Sequence, residues 1–206
     1  LGNKKPTKKK KIFIDFIGVK IMELLKDYIY KVNIIPKELC KSIIEDCESQ
    51  DRWELHAWAS SNTTEVNSYA DKELDVVMST PKQHNSLAPY IRKALGNYEA
   101  IYNKLDGSLS ESISVIRFNK YTIGTIMREH YDHIKSLFDG ELRGIPILSI
   151  IGNLNKEYEG GDLYIRDKKI SLTTGDILIF PSNFMYPHKV IELTQGTRYS
   201  FVSWAF

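Results

Sequence analysis

An α+β fold, mainly β, is predicted: a β-sandwich or jelly roll with N-terminal helices packed on one of its sheets. Apolar residues in the first half recur at helical spacing. From Ile113 they fall into short runs rich in β-branched and aromatic residues, and glycines and prolines separate many of those runs. Eight short strands within some ninety residues suit a two-layer β architecture.

The chain opens on Lys4, Lys5, Lys8, Lys9, Lys10 and Lys11 with no acid before Asp15, while the formal net charge is only +2. The remainder is therefore net acidic. Residues 1–20 read as a basic tail and lead-in, disordered and solubilising, or as a functional arm for nucleic acid or nucleoprotein. An acidic body argues against the folded part gripping a phosphate backbone. Residues 21–206 read as one domain, with helical support over 21–110 and the β core over 111–206.

Over 36–49, Leu39, Cys40, Ile43, Ile44 and Cys47 follow an i, i+3/i+4, i+7 pattern behind Pro36, which suits a helix start. Residues 59–68 are polar and read as a loop. Over 87–105, Leu87, Ile91, Ala94, Leu95, Tyr98, Ile101, Tyr102 and Leu105 form one apolar stripe, with Pro89 in the first turn. The first half thus reads as mainly helical. Strands are expected over 113–119, 125–130, 147–154, 162–165, 170–173, 176–180, 188–192 and 198–204.

Hydrophobic content of 42% and charged content of 26% suit a soluble globular protein of 206 residues. No apolar run approaches the roughly 18 residues that span a bilayer. The segment 12–19 follows a lysine cluster as a signal peptide would, but it contains Asp15 and lacks a small-residue cleavage site. Cys40 and Cys47 sit two turns apart on one helix face, about 10 Å between α-carbons and too far to bridge. Two buried thiols suit a reducing compartment, so an intracellular, cytoplasmic location is expected.

Chemistry concentrates in His130-Tyr131-Asp132, His188 and Arg198. On an extended chain His130 and Asp132 point to the same side and Tyr131 away. With His188 from another strand they can fill one face of an octahedral iron. In 198–204, Arg198, Ser200, Val202 and Trp204 share a face, and Tyr199, Phe201 and Ser203 share the other. If the first face lines the interior, Arg198 needs an anionic partner there, which a dicarboxylate would provide. His56 and His84 read as incidental. His133, on the opposite strand face from Asp132, reads as a surface or supporting residue.

These motifs resemble the Fe(II)- and 2-oxoglutarate-dependent dioxygenases, in their prolyl 4-hydroxylase-like branch, over roughly residues 32–206. Tyr121-x-x-Gly124-x-x-Met127-x-x-His130-x-Asp132 is similar to the branch's Y-x-x-G-x-x-Y-x-x-H-x-D run, with Met127 in place of the second aromatic. Leu154-Asn155, Glu159-Gly160-Gly161-Asp162-Leu163, the run from Gly175 to Ser182, and Gly196-Thr197-Arg198-Tyr199 ending in Trp204 resemble its later motifs. The resemblance implies a double-stranded β-helix core. It implies Fe(II) held by His130, Asp132 and His188, and 2-oxoglutarate whose distal carboxylate is bound by Arg198, Tyr121 and Ser149. It further implies O₂ as oxidant, ascorbate as an accessory reductant, succinate and CO₂ as co-products, and hydroxylation of prolyl residues in a protein or peptide. Asp132 argues against the halogenating relatives, which leave that ligand position vacant.

Two departures bear on substrate. Asn153 stands where the branch usually has a tyrosine near 2-oxoglutarate. Pro146 stands where it often has an arginine, for which Arg143 is a possible substitute. Residues 133–146 read as a flap or a plain connecting loop. The alternatives are an oxygenase of a free amino acid or other small molecule, and a non-catalytic jelly-roll binding module tethered through the lysine tail. A nucleic-acid demethylase fits less well, because no second arginine follows Arg198.

Overall fold

The computed structural model describes residues 28–59, 66–67, 72–103, 108–132 and 145–206. The lysine tail, Arg143, His133 and most of the segment read as a flap lie outside the described residues. Among those described, the chain folds as β1 (Tyr30–Asn33), α1 (Lys37–Glu48), β2 (Glu54–Leu55), β3 (Trp58–Ala59), β4 (Val66–Asn67), β5 (Asp75–Met78) and α2 (Pro81–Tyr102). The β core follows as β6 (Arg117–Tyr121), β7 (Met127–His130), β8 (Leu148–Asn153), β9 (Tyr158–Gly160), β10 (Leu163–Ile165) and β11 (Lys168–Ile170). It closes with β12 (Asp176–Pro181), β13 (His188–Val190), β14 (Leu193–Gly196) and β15 (Arg198–Ala205).

A seven-stranded antiparallel sheet in the order β1-β12-β8-β15-β6-β5-β2 faces a four-stranded sheet in the order β11-β10-β13-β7. This is the expected jelly roll. The helices cover the outer face of the larger sheet. Cys40, Ile43 and Cys47 of α1 and Leu87, Ile91, Ala94, Leu95 and Tyr98 of α2 pack there on Phe118, Ile150, Ile177, Ile179 and Phe201. The inner faces enclose a second core of Tyr121, Met127, Ile151, Leu163, Ile165, Leu178, Phe180 and Val190. Alternate residues of β8 and β12 therefore enter different cores, so both strands read as continuous apolar runs. Cys40 and Cys47 are free and buried, and burial raises their thiols to about 11 and about 12.

The mainly helical reading of the first half needs correction. β1, β2 and β5 extend the larger sheet, and β3 pairs with β4 across the segment expected to be a loop. Helix α2 starts at Pro81 rather than near Leu87. The cause is a capping box: the Thr80 hydroxyl accepts from the Gln83 amide at 3.2 Å, and the Gln83 side chain accepts from the Thr80 amide at 2.8 Å. Pro89 consequently lies inside the helix. The strand expected over 113–119 forms at 117–121, with Ile113 making one isolated bridge to Ala205. The small β9–β14 ribbon was not anticipated.

Gly152 shows how tightly the sheet is packed. A Cβ there would come within 1.9 Å of the Phe201 ring, which is fully buried against the helices. Gly152→Ala is expected to cost about 1–3 kcal/mol, because Phe201 has no space into which to retreat. A fall of several degrees in Tm by calorimetry checks this.

Candidate metal centre

The last residue of β7 and the first of β13 are direct partners across the smaller sheet: His130 opposes His188. Their rings lie 4.3 Å apart between centroids. Asp132, two residues beyond the end of β7, turns back between them. Its Oδ1 is 3.5 Å from His130 Nε2, and its Oδ2 is 3.7 Å from His188 Nε2. One ligand atom from each residue lies within 4.8 Å of the others. Tyr131 points away and is exposed.

Each imidazole is oriented from behind. Nδ1 of His130 lies 2.8 Å from the Arg128 carbonyl, and Nδ1 of His188 lies 3.2 Å from the Tyr186 carbonyl. Since a carbonyl only accepts, Nδ1 carries a proton in both rings, and each Nε2 faces Asp132. Burial pushes His188 below the ordinary histidine pKa despite the pull of Asp132, so it favours the neutral form. Burial also works to raise Asp132. The hydrogen bond with His130, the charges of both histidines and the Ser149 hydroxyl outweigh it and hold the carboxyl well below its usual range. With the imidazoles neutral, as metal binding requires, they and the ionised carboxylate form a donor set suited to a divalent iron.

Arg198 begins β15 opposite Tyr121 and is 2% exposed. Its guanidinium carbon sits 4.8 Å from the Tyr121 ring centroid, and its Nε donates to the Tyr158 hydroxyl at 3.3 Å. Its Nη1 is buried with no hydrogen-bond partner. An orphaned guanidinium N–H on the wall of a cavity also lined by His130, Asp132 and His188 fits an anionic ligand. Ser200, Val202 and Trp204 line the same cavity, so the anticipated face of β15 is the interior one. Gly161, at φ +59°, leaves room for the arginine, since a Cβ there would lie 3.3 Å from Arg198 Cδ.

Ser149 is a correction. Its partner on β15 is Trp204, six residues from Arg198, or roughly 20 Å along the strand. Its hydroxyl donates to Asp132 at 2.6 Å and contacts Ser182 at 2.9 Å. Ser149 therefore braces the carboxylate of the triad and does not share an anion with Arg198.

His56 is not incidental. Its Nδ1 lies 3.2 Å from Glu73, whose other oxygen accepts from the Trp58 indole at 2.9 Å. Trp58 in turn packs edge-on against His130 at 5.1 Å. Sequence reasoning also missed Tyr158 and Arg117. Arg117 lines the cavity, donates through Nε to Asn119 at 3.1 Å and lies 5.6 Å from the Trp204 ring. Period-2 alternation along β6 places Arg117, Asn119 and Tyr121 on one face, which was the available signal for Arg117. Nothing local marks Tyr158.

Residues 116–206 match the family model of the 2OG-Fe(II) oxygenase superfamily. No curated protein sequence matches the chain. The fold is similar to a viral collagen prolyl hydroxylase of Paramecium bursaria Chlorella virus-1 solved with 2-oxoglutarate, at TM-score 0.63 and 13% identity over 86% of this chain and 94% of that one. A prolyl-4-hydroxylase of Pseudomonas putida superposes at TM-score 0.61 and 19% identity, covering 92% and 98%. A Trichoplax adhaerens prolyl hydroxylase, solved with a fragment of the hypoxia inducible factor oxygen degradation domain, superposes at 0.64 and 15%, covering 98% and 94%. The jelly roll carries a domain of the 2OG-Fe(II) oxygenase superfamily. Residues 116–206 thus match an Fe(II)- and 2-oxoglutarate-dependent oxygenase domain, a class that uses Fe(II), 2-oxoglutarate and O₂, on a fold similar to that of prolyl hydroxylases.

Proposed function

We propose that the enzyme hydroxylates prolyl residues in a protein or peptide, with Fe(II) held by His130, Asp132 and His188. The observation that carries this reading is one cavity holding three metal-ligating atoms and, further in, a buried arginine with an unused N–H. Arg198 and Tyr121 would receive the distal carboxylate of 2-oxoglutarate. Held there, Fe(II) would supply oxidative decarboxylation of that co-substrate by O₂ to succinate and CO₂, the second oxygen atom going into a C–H bond. The protein's share is placement and charge: Asp132 stays ionised, both imidazoles present Nε2, and Trp58 and Phe180 pack against the histidine rings.

Prolyl specificity is supported by the neighbours' fold and by the motifs of the β core. The helical support and jelly roll act as one domain in this reading, with residues 1–20 as a basic, solubilising tail and lead-in whose lysines are open to contact with nucleic acid or nucleoprotein. Ascorbate would keep the iron reduced. Among the described residues no helix is long and apolar enough to cross a membrane. The two free thiols favour an intracellular, cytoplasmic setting.

The reading is tested by mass spectrometry of lysate proteins treated with active or Asp132→Ala enzyme. A gain of one oxygen atom, mapped to proline and dependent on 2-oxoglutarate, is expected. Oxygen found only on free amino acids would replace it with a second reading, an oxygenase of a small carboxylate. Arg117 favours that alternative, because it lines the cavity and forms no ion pair among the described residues.

Ser149→Ala is expected to lower Fe(II) affinity by roughly 10- to 100-fold, the usual effect of removing a partner that orients a ligand. Its 2-oxoglutarate affinity, measured with saturating metal, should hold. The reverse pattern would return Ser149 to the distal carboxylate.

A further inference from the structure

We infer that Tyr158, braced by Asn153, is the residue that aims Arg198 at the distal carboxylate of 2-oxoglutarate. This rests on the proposed reading in which Arg198 takes that carboxylate. Tyr158 comes from β9, in the small ribbon outside the two main sheets, and reaches in beneath the guanidinium.

A guanidinium offers five N–H donors in a rigid plane, so its use depends on which edge faces the ligand. Nε is held by the Tyr158 hydroxyl at 3.3 Å. The Tyr121 ring, 4.8 Å from the guanidinium carbon, limits the tilt of the plane. With Nε occupied and the face covered, Nη1 is left buried and unpaired. Pinning one edge selects the other for the anion.

Tyr158 is itself tied to the backbone around Arg198. Its hydroxyl donates to Asn153 Oδ1 at 3.4 Å, and Asn153 Nδ2 donates to the Asn155 carbonyl at 2.6 Å. The Asn155 side chain donates to the Thr197 carbonyl at 2.8 Å and accepts from the Tyr199 amide at 2.8 Å. Those two groups flank Arg198. The network therefore closes on itself, from the arginine's main chain through Asn155, Asn153 and Tyr158 to its side chain. Asn153, where the resemblance led us to expect a tyrosine, is short enough to admit a phenol from a neighbouring strand.

The test is anaerobic calorimetry on Mn(II)-loaded protein with two probes. 2-Oxoglutarate uses the distal pocket; oxalate offers a chelating pair of oxygens and no distal carboxylate. Tyr158→Phe is expected to weaken 2-oxoglutarate by roughly 5- to 20-fold and leave oxalate unchanged. Asn153→Ala should act in the same direction. In an Arg198→Ala background Tyr158→Phe should add nothing, because the group it positions is gone. Equal weakening of both probes would show a general loss of structure and overturn the inference. So would wild-type 2-oxoglutarate binding by Tyr158→Phe. If Arg198→Ala still weakens 2-oxoglutarate in that case, the underlying site reading stands alone. If Arg198→Ala also binds normally, that reading falls as well.

Discussion

With His130 or Asp132 replaced by alanine, conversion of 2-oxoglutarate to succinate is expected to fall to the level seen without iron. Three atoms hold the metal, and each comes from a different side chain. Losing a supporting partner alone costs roughly 10- to 100-fold in metal affinity, so losing a ligand should cost more. Asp132 carries a further weight as the anion of the set, since two neutral imidazoles alone offset none of the ion's charge. Neither change should unfold the protein. Both residues are only partly buried, one closing β7 and the other just beyond it. Succinate formation at saturating 2-oxoglutarate, with Tm as a control, checks the expectation. Normal turnover in both variants would remove the metal triad from the account.

The second large effect is expected at Arg198. Truncating one member of a buried, hydrogen-bonded charge pair costs about 2–5 kcal/mol, which corresponds to roughly 30-fold or more in the concentration of 2-oxoglutarate required. The iron requirement should stay nearly constant, because no metal-ligating atom changes. Arg198→Lys keeps the charge and loses the planar fork, so it should fall between wild type and alanine. Steady-state titrations of iron and 2-oxoglutarate separate the two requirements. Equal shifts in both would mean that Arg198 does not hold the co-substrate.

The strands that carry the site were legible because their spacing is local. His130 and Asp132 are one residue apart on extended chain, and alternation along β15 put Arg198, Ser200 and Trp204 inward, as found. The short edge strands were not legible. β1, β2 and β5 span only 4, 2 and 4 residues, and they are strands because a neighbouring strand pairs with them, which no local pattern encodes. Helix α2 is a different case. Thr80-Pro81-Lys82-Gln83 states the capping box in sequence, but the apolar stripe outweighed it, and Pro89 was given the role that Pro81 holds. Ser149 was misplaced for want of register. Only the pairing of β8 with β15 sets it beside Trp204 and far from Arg198. Tyr158, Trp58 and Glu73 were invisible for the same reason, since each reaches the site across tertiary contacts.

The most direct test is a crystal structure grown without oxygen in the presence of Mn(II) and 2-oxoglutarate. It should show a single ion bound by His130 Nε2, His188 Nε2 and one Asp132 oxygen at about 2.1 Å, with the distal carboxylate of 2-oxoglutarate on Arg198 Nη1. An ion held by other residues, or a carboxylate bound away from Arg198, would contradict it.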